Sequence, residues 1–124
     1  MVWFWAFVLC VLLTFPSIVL PHAALVKSIP ARRAQIFNAP AQIQLWFNEK
    51  LEARFSSLAV IDSEGKRVDR GNVAVGTDDP KRLSVEVNPL PPGLYKIRFR
   101  VLSVDGHVVE DEFPFTVREP QRAP

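Results

Sequence analysis

The stretch Tyr95-Lys96-Ile97-Arg98-Phe99-Arg100-Val101 alternates apolar and basic side chains without a break. Residues two apart on an extended strand share a face, whereas a helix repeats every 3.6 residues. The stretch therefore predicts a strand that buries Tyr95, Ile97, Phe99 and Val101 and leaves its basic residues in water. The same period recurs in residues 42–47 and in residues 83–87, where Leu83, Val85 and Val87 face inward. Residues 24–28, 57–61 and 107–117 are further strands, the first of them an edge strand because Ile29-Pro30 ends it. Between them lie turn-formers: Asp62-Ser63-Glu64-Gly65, Asn88-Pro89-Leu90-Pro91-Pro92-Gly93 and Asp105-Gly106. Residues 31–40 are read as a connecting loop and residues 69–82 mostly as loop. No apolar run at helical spacing exceeds about two turns. The expected fold is all-β, a small antiparallel sandwich or barrel, with Trp46, Phe47, Phe99, Phe113 and Phe115 in its core.

Residues 1–20 belong to a different kind of sequence. They carry no charged side chain, and the first basic residue of the chain is Lys27. So apolar an N-terminus is a secretory signal or an uncleaved hydrophobic anchor, and either one exports the remainder of the chain. Around the expected cut the chain reads Val19-Leu20-Pro21-His22-Ala23-Ala24. The sequence is compatible with cleavage before His22, although Pro21 is unfavourable there, with cleavage after Ala23 or Ala24, and with retention as an anchor. The chain thus divides into residues 1–21 as signal or anchor, residues 22–118 as one β-domain, and residues 119–124 as a short tail. All 15 basic and 13 acidic residues lie after the apolar segment, interspersed, for a net charge of +2. Interspersed signs give no basic stripe, which argues against nucleic acid. The single cysteine, Cys10, lies within the apolar segment, and Val8-Leu9 before it do not suit a lipoprotein signal. The exported domain must then be held by core packing rather than by disulfides.

Chemistry concentrates in Ser103-Val104-Asp105-Gly106-His107. The chain has two histidines, His107 and His22. Asp105 and His107 are two apart, so an extended strand would put both on one face, and a tight turn at Gly106 would still leave them neighbours. A mature chain beginning at His22 would add an imidazole and a terminal amine whose ordinary pKa, about 7.7, lets it release its proton to a metal near neutral pH. Two imidazoles, an amine and a carboxylate form a nitrogen–oxygen set suited to tetragonal Cu(II). The only methionine is Met1, so a mature domain offers no thioether for Cu(I).

Residues 22–117 resemble the CopC family of periplasmic copper-binding, or copper-resistance, proteins. The resemblance rests on His22-Ala23-Ala24-Leu25, Ser28-Ile29-Pro30-Ala31, Leu45-Trp46-Phe47-Asn48-Glu49, Leu94-Tyr95, Arg100-Val101-Leu102-Ser103-Val104-Asp105-Gly106-His107 and Phe115-Thr116-Val117. It implies a seven-stranded, immunoglobulin-like or cupredoxin-like Greek-key β-sandwich. It also implies Cu(II) bound by His22, Asp105 and His107, with Glu49 as an acidic neighbour of the ligands. The Met-rich Cu(I) loop of many members is absent, which makes this a Cu(II)-only chain. The implied role is a non-enzymatic one in the periplasm, buffering copper or carrying it to an inner-membrane copper transport protein of the CopD type.

Two other functions use the same residues. A copper oxidase or monooxygenase of the histidine-brace kind also joins an N-terminal histidine to a second one, but Asp105 would fill a position that oxygen chemistry needs open. An immunoglobulin-like interaction module without metal would need Asp105-Gly106 only as a hairpin turn.

Overall fold

The computed structural model describes residues 24–120. In chain order its strands are β1 (Leu25–Ile29), β2 (Gln35–Ile36), β3 (Gln42–Phe47), β4 (Ser57–Asp62), β5 (Ala74–Val75), β6 (Arg82–Glu86), β7 (Gly93–Leu102) and β8 (Val108–Val117). One sheet has the order β1-β3-β6-β5 and the other β2-β8-β7-β4. Strand pairs are antiparallel except β2 with β8, which is parallel. The only helical element among the described residues is a 3₁₀ turn at Ala53–Phe55. The expected all-β sandwich is what forms.

The two inward-facing rows meet in one core. Ile43, Leu45 and Phe47 of β3 and Leu83 and Val85 of β6 are buried from one side. Leu58 and Val60 of β4, Tyr95, Ile97, Phe99 and Val101 of β7, and Phe113, Phe115 and Val117 of β8 are buried from the other. Phe47 sets its edge against Phe99 at 5.4 Å between centroids and so links the sheets directly, while Phe99 meets Phe113 edge-on at 6.5 Å. Tyr95 stacks on Phe115 at 5.4 Å. Such aromatic pairs contribute about 0.5–1.5 kcal/mol each beyond their burial. The Tyr95 hydroxyl donates to the Pro91 carbonyl four residues upstream, the arrangement called a tyrosine corner in immunoglobulin-like sandwiches.

Three sequence expectations need correction. Trp46 is not a core residue. With Ile43, Leu45 and Phe47 pointing inward, the two-residue period puts Trp46 on the outer face, where Lys27 Nζ lies 4.7 Å from its ring centroid. Strands β2 and β5 fall inside segments read as loop, because two residues are too few to show a period. The last strand starts at Val108, so His107 belongs to the connection before it.

One ion pair braces an edge. The Asp69 side chain is fully buried, accepts hydrogen bonds from the Val60 and Gly71 amides at 2.9 Å, and grips Arg67 at 2.8 and 3.1 Å. Burial alone would raise its pKa, but the Arg67 guanidinium and the two amides outweigh burial and hold the carboxyl below its ordinary value. Val68 N–H also bonds the Val60 carbonyl, so this segment covers the outer edge of β4.

Replacing Asp69 by alanine should lower the unfolding free energy by about 2–3 kcal/mol, since it strands the Val60 amide and empties a buried site. A carboxyl depressed in the fold stabilises above its unfolded pKa of about 3.9 and loses that contribution as pH falls through its folded value. The gap between wild type and Asp69→Ala in urea unfolding should therefore hold steady down to about pH 5 and narrow below about pH 4.

Candidate metal centre

Strands β7 and β8 form a ten-residue hairpin whose last pair is Leu102 opposite Val108, leaving residues 103–107 as the connection. Its turn closes through the Gly106 amide on the Ser103 carbonyl at 2.9 Å and the Ser103 amide on the His107 carbonyl at 2.9 Å. Gly106 has φ +93°, a conformation that a Cβ disfavours, so glycine is required by the backbone here.

Ser103 orders the interior of this loop. It continues the inward row Tyr95, Ile97, Phe99, Val101, and at 1% exposure it is the buried polar residue of the core. Its hydroxyl accepts the His107 amide at 3.1 Å and donates to Asp105 Oδ1. The other Asp105 oxygen, Oδ2, lies 3.0 Å from His107 Nδ1. The Ser103 hydrogen bond is the largest cause holding the Asp105 carboxyl below its ordinary pKa; partial burial opposes it, and His107 reinforces it. Both side chains are reachable from solvent, at 42% exposure for Asp105 and 31% for His107. Two donors at right angles on metal bonds of about 2.0–2.1 Å lie about 2.9 Å apart, so this oxygen and nitrogen have the spacing of adjacent ligands to one first-row ion.

The loop is fixed from outside as well. Val104 N–H bonds the Lys50 carbonyl at 2.9 Å, Glu52 N–H bonds the Leu102 carbonyl at 2.9 Å, and Leu51 bridges Ser103. Just before them, Asn48 holds Ala24 at two points: its amide donates to the Ala24 carbonyl at 3.1 Å, and its Oδ1 accepts the Ala24 amide at 2.7 Å. Glu49 is half-buried between Asn48 and Lys50. The fold thus gathers Asp105, His107, the Glu49 turn and the first described residue of the chain at one end of the sandwich. His22 lies outside the described residues. Among the described residues no group of three or more His, Cys, Asp or Glu could hold a metal, so the Asp105–His107 pair needs a further donor.

A family model described as "CopC domain" matches residues 25–118. The chain belongs to the CopC family. The copper transport protein CutJ of Bacillus subtilis is 32% identical over 114 residues, covering 91% of this chain and 21% of that protein. The chain therefore spans about a fifth of the length of CutJ. Copper resistance protein C of Escherichia coli is 30% identical over 104 residues, 78% of this chain and 82% of that protein. The crystal structure of CopC from Methylosinus trichosporium OB3b superposes with a TM-score of 0.75 at 34% identity, covering 83% of this chain and all of the other.

In this CopC domain two residues shape the site beyond those named from sequence. Ser103 could have been found by extending the inward row of β7 two positions and meeting a hydroxyl where a hydrophobe was due. Asn48 gives no comparable signal, because a polar residue after a strand is unremarkable until its partner is seen.

Ser103→Ala should cost about 1–2 kcal/mol of stability through the stranded His107 amide. Gly106→Ala should cost a similar amount through φ alone, about 1–2 kcal/mol, since an added Cβ meets no atom within 4 Å. Denaturant midpoints of the two variants at neutral pH measure both.

Proposed function

We propose that this CopC domain binds one Cu(II) outside the cytoplasm through His22, Asp105 and His107, with Glu49 as an acidic neighbour, and buffers or carries the ion. The 3.0 Å spacing of Asp105 Oδ2 and His107 Nδ1 carries the proposal. A carboxylate and an imidazole held side by side supply two adjacent donors once the proton shared between them is released to make way for the metal. Ala24, pinned at the same end of the sandwich, follows His22 by two residues, which span at most about 7 Å when extended. A chain processed before His22 brings an imidazole and a terminal amine within that reach. The resulting nitrogen–oxygen set favours Cu(II), and the two sulfur residues, Met1 and Cys10, both precede His22. Copper is cargo here. The two side chains are partly exposed at the tip of the hairpin, at the surface of the domain, which suits exchange with a membrane-embedded copper transport protein of the CopD type. The names of the relatives support a copper role: CutJ is a copper transport protein and the Escherichia coli relative a copper resistance protein.

In this proposal residues 1–21 direct export to the periplasm, residues 22–118 form the binding domain, and residues 119–124 are a short tail. The domain is a carrier rather than an enzyme, because Asp105 takes up coordination space that oxygen activation would need.

Titration of the purified mature chain, followed by visible and paramagnetic spectra, should show one Cu(II) bound. Groups behind metal ligands are already worth about 10–100-fold in affinity, so His22→Ala, Asp105→Ala and His107→Ala should each weaken binding by about a hundredfold or more. Affinity should fall on acidification as protons compete for the same nitrogens. Unchanged binding by His107→Ala would overturn the assignment. A mature chain whose mass places its start at Ala24 would remove His22 from the site.

A further inference from the structure

We infer that Asn48 is the residue that positions the start of the mature chain at the copper site, an inference that rests on the His22–Asp105–His107 proposal. The two-point hold on Ala24 differs from ordinary strand pairing. Regular pairing of β1 with β3 ends at Leu25 opposite Phe47, after a register shift between Leu25 and Lys27. Ala24 lies beyond β1, and Asn48 holds it with one main-chain and one side-chain bond, at 3.1 and 2.7 Å. Bulges of this kind bend a strand and redirect the chain beyond it, and here the redirected end meets Asn48.

The post to which Ala24 is tied is rigid. Phe47, immediately before Asn48, is buried against Phe99, and its amide bonds the Lys81 carbonyl at 2.9 Å. Leu51, three residues after, is buried and bridges Ser103. A short path of main-chain contacts therefore runs from Ala24 through Asn48 and Lys50 to Val104, next to Asp105. Two donors of the proposed site sit on the loop at one end of this path. The other two lie two residues upstream of its other end. With Ala24 fixed, a chain start at His22 is only two residues from held backbone, which lowers the chain entropy lost on binding.

The interaction is exposed, so removing the side chain should leave the fold intact while loosening the chain's start. The test compares Asn48→Ala and Asn48→Asp in the processed chain starting at His22, using Cu(II) titration against a competing chromophoric chelator and exchange of the Ala24 amide without metal. Asn48→Ala is expected to bind Cu(II) about tenfold more weakly, equivalent to about 1.4 kcal/mol, with faster Ala24 exchange and an unchanged unfolding midpoint. Asn48→Asp, which keeps the accepting oxygen, should match wild type in affinity and exchange. In a His22→Ala background, which keeps only the terminal amine of the two upstream donors, Asn48→Ala should cost less affinity than it does with His22 present. Wild-type affinity in Asn48→Ala, with His107→Ala still impaired, would overturn the role of Asn48 and leave the copper site standing. An equal loss from Asn48→Ala with and without His22 would also overturn it. Wild-type binding by His107→Ala would instead bring down the underlying copper proposal.

Discussion

Main-chain bonds between residues 50–52 and residues 102–104 couple the two sheets at one end. Residues 50–52 leave β3 in one sheet, and residues 102–104 end β7 in the other, so the Lys50–Val104, Glu52–Leu102 and Leu51–Ser103 contacts close the sandwich where aromatic packing stops. A hairpin tip projecting alone would fray, because its last residues have water on most sides. Here the tip is tied across to the opposite layer, and Asp105 and His107 inherit the order of the core. The paired donors depend on this closure as much as on their own contacts.

The rest of the surface contributes differently. The outer face of β7 and β8 carries Lys96 and Arg98 around Glu112, and Arg100 near Glu110, all well exposed. Exposed pairs of this kind add at most about 1 kcal/mol each and weaken with salt. They favour the β7–β8 register and keep the sheet face soluble, while stability rests on the buried rows. Arg32 differs in using both halves of its chemistry: it lies 4.9 Å from the Phe113 ring centroid and pairs with Asp111 at 2.6 Å, covering a flank of the core with a cation.

Much of this was legible in the chain because the strand period is strict. Residues 42–47 and 95–101 announced their inward faces, and β3 and β7 bury those faces. At Trp46 bulk and parity point opposite ways, and parity decides: the same period that buries Leu45 and Phe47 puts Trp46 outside. Strands β2 and β5 were illegible for a physical reason: each is held by a neighbour distant in sequence, with no pattern of its own. At the candidate site, Asp105 and His107 could be paired from their spacing, but the length of their separation could not. It is set by the Ser103 hydroxyl and by a turn that only Gly106 closes comfortably. The hold of Asn48 on Ala24 spans 24 positions and leaves no trace in either segment alone.

The ten-residue length of the β7–β8 hairpin also fixes polarity in the molecule. Val117 pairs with Gly93 at the end of the hairpin remote from Leu102 and Val108. At about 3.3 Å per residue, that separates the chain's exit from its donor-bearing tip by roughly 30 Å. The two termini of the described domain therefore leave from opposite poles. A module joined after Arg118 would hang well clear of the loop, and the domain could be tethered from its C-terminal side without obstructing what its tip touches.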